Sequence, residues 1–368
     1  MPNYASTSME REVAKPSADG TLVRVSSVGI IVLAVVGIFL YLGGWFSPHK
    51  LTPARLVDGF EEVNGIHPGF RRNHGKGVSV SGFFESNGQG ARLSKAVVFT
   101  AGRVPVIGRF SLGSGQPYVA DAPDTARGLG LLFQLPDGEE WRTAMVNLPV
   151  FVVTGPQGFY DLMMASRPEP ATGKPDPAKM AAFFGSHPET VQAFTVIKSH
   201  PVSSGFDNST FNSLNAFRFV DANGNSTPVR WSLAPLQPFE PSAAADADQR
   251  DKNYLFDALI ANMHQHPLQW RLLITVGQPG DPTDNATIPW PEGREQVDAG
   301  TLTLDHIESD DSGLAREINF DPLVLPAGIA PSDDPLLSAR SAVYSQSFTR
   351  RAGETKEPGA VTPSEVQK

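Results

Sequence analysis

A histidine stands between a pair of arginines and a glycine-bracketed lysine in RRNHGKG at 71–77, just ahead of the alternating apolar run GVSVSGFFE. Imidazole is the side chain whose ordinary pKa puts its proton in play near neutrality, so His74 is either a strand-edge residue or a working acid or base. Cysteine is absent. That removes thiol nucleophiles, disulfide scaffolds and thiolate-held metals, and any metal must be held by nitrogen or oxygen. His264 and His266 resemble a metal pair only superficially, because the sequence offers no third ligand nearby. A net charge of -9 gives no basic field to exchange for phosphate counterions, which excludes nucleic acid as a partner.

The elements that must carry these residues are legible in outline. Thr52-Pro53 reads as an N-cap and first helical residue, and Leu56, Val57, Phe60 and Val63 follow at helical spacing. That short helix delivers the chain to His74. The runs GVSVSGFFE, KAVVFTA, PVIGRFSL, LGLLFQL and PVFVVTG, separated by glycine-rich turns, predict short strands of an antiparallel barrel or sandwich. Helical patterns at 178–184 and 188–197 sit between proline-rich breaks, and further strands are predicted at 217–220, 229–233, 270–276 and 300–304. Strands on both sides of the helices suit one α+β domain. With 32 prolines, 34 glycines, 40% hydrophobic and 19% charged residues, the 368-residue chain has a real core and many turns. The polar, aperiodic segment 353–368 predicts a disordered tail.

The first 50 residues address a membrane. Residues 28–46 are uncharged and apolar, nearly long enough at about 1.5 Å per residue for a hydrocarbon core of roughly 30 Å. The run is longer than a signal-peptide core and no small-x-small cleavage site follows, so an uncleaved single-pass signal anchor is expected. Arg11, Lys15 and Arg24 favour a cytoplasmic tail at 1–27, with the body outside the cytoplasm, periplasmic in a Gram-negative cell.

Beyond this, RRNHGKG, RFS at 109–111, DTARG at 124–128, NLPVF at 147–151, HPETVQAF at 187–194, NAFRFVDANGN at 215–225 and ARSAVYSQSFTRR at 339–351 resemble the haem catalases in order and approximate spacing. The likeness runs from about 53 to 351. The size, the anchor and the early end after Tyr344 resemble the minimal, membrane-anchored catalase-related peroxidases. The resemblance implies a catalase-like antiparallel β-barrel with flanking helices over 47–352, preceded by a single transmembrane helix. It also implies a b-type haem and its iron. His74 matches the family's distal base, Ser111 the serine that orients it, and Tyr344 the iron ligand. Arg340, four residues earlier and so on the same helical face, favours the phenolate. Arg71, Arg109 and Arg351 match arginines that hold the haem propionates, with Arg72 as a solvated neighbour. Phe151 and Phe159 match apolar residues packed over the haem.

The chain also departs from the pattern. Aligned from Pro149, Val146 stands where the family has a catalytic asparagine, although a one-residue shift gives the role to Asn147. Asn73 stands beside the histidine where valine is usual, Asn215 where a histidine supports the proximal arginine, and Phe348 where a histidine follows the tyrosine. The reading implied is a haem peroxidase that reduces hydrogen peroxide or an organic hydroperoxide with a small-molecule reductant and has weak catalase activity, as a monomer or small homo-oligomer. The alternatives are a fatty-acid hydroperoxide isomerase or lyase of allene oxide synthase type, and a non-catalytic haem-binding protein.

Overall fold

In the computed structural model, which describes residues 18–42, 50–100, 102–242 and 251–363, the alternating runs pair into one antiparallel sheet that closes on itself. The chain divides into two units, Met1–Thr52 and Pro53–Lys368. In the first, helix α1 (Ala18–Leu42) exposes Val28, Ile31, Leu33 and Phe39. Among the described residues no helix is long and apolar enough to cross a membrane. The expected span 28–46 overlaps α1 as far as Leu42, its remaining residues 43–46 lie outside the described residues, and so do residues 1–17 of the expected tail.

The second unit begins with α2 (Pro53–Asn64), whose Leu56, Val57 and Phe60 are buried as their spacing predicts. Strands β1 (Gly77–Ser86), β2 (Gly102–Leu112), β3 (Arg127–Gln134) and β4 (Glu140–Val146) follow as neighbours. Helices α3 (Pro156–Ala165), α4 (Pro177–Ser186) and α5 (Pro188–Ser199) then lead to β5 (Phe211–Asn212), β6 (Phe217–Val220) and β7 (Ser226–Pro235). After α6 (Tyr254–Gln265) come β8 (Leu268–Val276), β9 (Gln296–Ser309), β10 (Ile329–Pro331) and α7 (Pro335–Ala352). Pairing of β7 with β8 and of β1 with β9 closes an eight-stranded barrel from β1, β2, β3, β4, β5, β7, β8 and β9, while β6 and β10 extend β7 outside the ring. Closure leaves the ring without an open edge.

The barrel interior is aromatic. Phe133 stacks on Trp141 at 4.7 Å, and Trp231 meets Trp141 edge-on at 5.2 Å. Two expected strands are corrected. KAVVFTA forms a short helical turn at Val97–Phe99, whose Val98 and Phe99 are core residues, and PVFVVTG is irregular, its Phe151 amide bonded to the Ala286 carbonyl. Conversely, β4 was not foreseen: EWRTAMV buries Trp141, Thr143 and Met145 in alternation with partly exposed Glu140 and Arg142.

The expected disordered tail is corrected as far as it is described. Glu354 pairs with Arg72, the Gly359 amide bonds to Asp311, and Val361 is 1% exposed within the barrel's core cluster. Burial of one apolar side chain and pairing of the charges give this polar segment a fixed path. Residues 364–368 lie outside the described residues.

The lysine of RRNHGKG is fully enclosed. Lys76 Nζ donates to Asp121 at 2.6 Å and to the carbonyls of Val119 and Lys252, while the other Asp121 oxygen accepts from the Leu255 amide at the start of α6. Lys76 therefore ties the histidine turn to α6. Lys76→Ala should destabilise the chain by about 3–5 kcal/mol because it strands a buried carboxylate, whereas Lys76→Met with Asp121→Leu should come close to the parent. Urea unfolding of the three proteins tests this, and equal losses in single and double variants would count against it.

Candidate active site

A cavity of about 230 Å³ opens between the outer face of β2–β4 and the helices α2, α3 and α7. The register explains its wall. Gly77, Ser111, Gly128 and Val146 lie across one another on four adjacent strands, and two residues along lies the row Ser79, Arg109, Gly130, Ala144. Alternation turns these rows outward and the intervening Phe110, Leu129 and Met145 toward the core. On the facing side α7 presents Leu336, Arg340, Tyr344, Phe348 and Arg351 at helical spacing.

His74 occupies the turn between α2 and β1 with φ of 58°, a left-handed backbone that non-glycine residues seldom adopt. Its amide donates to Asn73 Oδ1 at 3.0 Å and its carbonyl accepts from Arg109 Nη1 at 2.8 Å. Nδ1 lies 3.0 Å from Ser111 Oγ, so one ring nitrogen is held and Nε2 is left to the cavity. Gly128 makes this approach possible: a Cβ there would stand 2.9 Å from His74 Nδ1 and from Ser111 Oγ. The ring's exposed surface faces the cavity rather than bulk water. Enclosure, then Arg109, Arg71 and Arg340, push its pKa down to about 3, and the imidazole is neutral at ordinary pH.

Tyr344 packs against Phe320, Leu132 and Ala315, and no protein group hydrogen-bonds its hydroxyl among the described residues. Arg340, one turn back, donates from Nη2 to the Ala144 carbonyl at 2.8 Å and from Nη1 to Asn215 Oδ1. Asn215 Nδ2 in turn donates to Asp334 at 2.7 Å, and Asp334 also caps α7 by accepting from the Leu336 amide. Asn215 thus supports the arginine itself, in place of a histidine.

Three further arginines converge nearby. Arg71 Nη2 is held by the carbonyls of Ala315 and Ile318, and Arg351 Nη1 by that of Arg316. Arg109 grips Asp310 through Nε and Nη2. Burial and mutual repulsion lower the pKa of Arg71 well below its usual value and that of Arg351 to about 10. Burial works to raise Asp310, but Arg109 outweighs it and holds the carboxyl below the usual range. One carboxylate against three guanidiniums leaves about two positive charges held by backbone carbonyls alone, without a carboxylate to neutralise them. A dianionic ligand with two carboxylates fits this imbalance, and the donor set suits planar bidentate recognition.

The structure brings His74, Ser111, Arg71, Arg109, Phe151, Phe159, Arg340, Tyr344 and Arg351 to this one cavity. Phe151 stacks on Phe159 at 5.8 Å. Asn147 is corrected: it does not line the cavity, because its Oδ1 accepts from the Arg127 amide at 2.7 Å, and Val146 forms the wall instead. Arg72 is no solvated neighbour; it is 5% exposed and paired with Glu61 and Glu354. Asp310 and Gly128 were not singled out from the sequence. The acid had no visible signal, whereas the glycine lay in the DTARG motif and could have been found by asking which strand residue must face Ser111.

Residues 54–358 match the catalase family model. The chain is 38% identical over 327 residues to a catalase-related peroxidase of Synechococcus elongatus, covering 89% of this chain and 93% of that protein. It is 31% identical over 314 residues to one of Mycolicibacterium paratuberculosis, covering 85% and 98%. The fold is similar to that of a fungal catalase, with a TM-score of 0.71 at 19% identity over 83% of this chain and 64% of the other. It is also similar to that of catalase A from Saccharomyces cerevisiae, with a TM-score of 0.70 at 18% identity.

Because the folded imidazole titrates near 3 and an unfolded one near 6.5, His74 contributes stability above pH 6.5 that drains away as pH falls toward 3. The slope is roughly 1.4 kcal/mol per pH unit in that window. Urea unfolding of the haem-free chain against pH should therefore be less acid-sensitive in His74→Gln than in the parent. Parallel curves between pH 6.5 and 4 would show that His74 is not held neutral.

Proposed function

The chain belongs to the catalase family and is a peroxidase of that family; we propose that it reduces hydrogen peroxide or an organic hydroperoxide at a b-type haem, taking electrons from a small donor, with weak catalase turnover. The observation that carries this reading is a neutral imidazole, held at Nδ1 by Ser111 and open at Nε2, in one cavity with a tyrosine on the same helical face as an arginine. Storage of a cofactor has no use for an oriented base.

Tyr344 is the proposed iron ligand, with Arg340 one turn away to favour the phenolate. Arg71 and Arg351, with the spare Nη1 hydrogen of Arg109, would hold the two propionates. When bound, the haem would supply the two-electron redox chemistry. The chain's own part is proton handling. Neutral His74 accepts the proton of one peroxide oxygen at Nε2 and returns it to the other, so that the departing oxygen leaves as water or an alcohol. Ser111 keeps the ring aimed, and the stacked Phe151 and Phe159 keep bulk water off it. Val146 offers no hydrogen bond to a second peroxide molecule, while a reductant can deliver electrons without that contact, so the balance tilts to peroxidase turnover.

We also propose that residues 28–46 anchor the chain in a membrane, with residues 1–27 cytoplasmic and residues 47–368 outside. Support comes from the uncharged apolar run and the exposed apolar side chains of α1.

The haem-loaded protein should oxidise a phenolic donor readily and evolve little oxygen from hydrogen peroxide. His74→Ala should slow the reaction with peroxide by about 10²–10⁴-fold with the haem spectrum kept, and Val146→Asn should raise oxygen evolution. Oxygen release at full catalase rates by the parent would remove the role given to Val146. A reporter fused after Lys368 should be active only outside the cytoplasm, and cytoplasmic activity would reverse the topology.

A further inference from the structure

We infer that Asp310 is a positioning residue for His74, acting through the Arg109 fork. This rests on the reading of His74 as the base. Asp310 is the first residue after β9, and Ser309 before it is paired with Val78, so the carboxylate is set beside the turn that carries His74. Its two oxygens take Nε at 3.0 and 2.9 Å and Nη2 at 2.6 Å, fixing the rotation of the guanidinium. The opposite edge of the same fork donates to the carbonyls of His74 at 2.8 Å and Gly75 at 3.1 Å. Four of the five N–H donors of Arg109 are consumed in this way.

A left-handed histidine persists only where its surroundings over-determine it. Here consecutive carbonyls are pinned from one side, the Gly75 amide is bonded to the Ser114 carbonyl at 2.7 Å, and the ring is caught by Ser111. With Asp310 removed, the Arg109 fork is free to swing to any carboxylate in the cavity and release the turn. Both partners are enclosed, Arg109 at 3% and Asp310 at 7% exposure, so water does not substitute for either.

If Arg109 served chiefly as a cofactor ligand, Asp310 would be its competitor, and the two roles give opposite results. In full-length, haem-loaded Asp310→Ala, haem retention should stay within about twofold of the parent, while the rate with hydrogen peroxide drops about 100-fold, the size of effect expected for a misplaced catalytic group. Hydrogen exchange of the His74 and Gly75 amides should quicken by about tenfold as the turn opens. Asp310→Asn, which keeps the shape and one acceptor, should recover part of the rate, and Arg109→Lys, which keeps charge without the fork, should quicken exchange of the same two amides as Asp310→Ala does. Tighter haem binding with an unchanged peroxide rate, or unchanged amide exchange, overturns the inference. A parent protein inert to peroxide would instead sink the reading of His74 as a base, and the amide exchange would still report whether Asp310 holds the turn.

Discussion

Enclosed positive charge without enough negative charge is the constraint on which this structure depends. Arg71, Arg109 and Arg351 approach one another around a single carboxylate, Asp310, and burial makes each charge costly. The segment after β9 manages that cost. Carbonyls of Ala315, Arg316 and Ile318 hold Arg71 and Arg351, and the Ala315 amide is itself pinned to Ser79 Oγ. The remaining charge is a standing demand for an anion. The same field keeps a proton off His74, so the demand for an anion and the neutrality of the imidazole are set by one electrostatic arrangement.

The scaffold meets this demand through two periodicities. The pleat of β2, β3 and β4 sends Ser111, Arg109 and the two glycines of β3 to the outside of a barrel whose inside is packed with tryptophan and phenylalanine. The 3.6-residue repeat of α7 lines up Arg340, Tyr344 and Arg351 opposite them. Neither element could make the cavity alone. Glycine at 128 and 130 supplies the clearance, since a Cβ at 130 would stand 2.8 Å from the Phe320 ring.

What could be read from the sequence was what is local. Alternation revealed β1, β2 and β3, and short motifs revealed His74, Ser111 and Tyr344. KAVVFTA and PVFVVTG misled because a run can be apolar from facing a core or a cavity without pairing as a strand. Strand β4 was hidden because Glu140 and Arg142, on its partly exposed face, broke the apolar run. The pairs that organise the site are long-range. Arg109 and Asp310 are 201 residues apart and Arg340 and Asn215 are 125 apart, and an acid in ESDDSG looks like any turn acid until the fold delivers its partner. Asn147 and Val146 differ by one position, and only the strand register decides between them.

The salt bridge between Arg72 and Glu354 joins residues 282 apart, and Arg71 reaches carbonyls more than 240 residues downstream. Contacts of such separation form late, because closing long loops is entropically slow. During synthesis the strands that follow His74 can begin to pair while the segment around His74 still lacks the residues that fix it. The segment around His74 is therefore among the first of the fold to leave the ribosome and among the last to be fixed, since Arg72 finds its carboxylate only once the chain has been made through to Glu354.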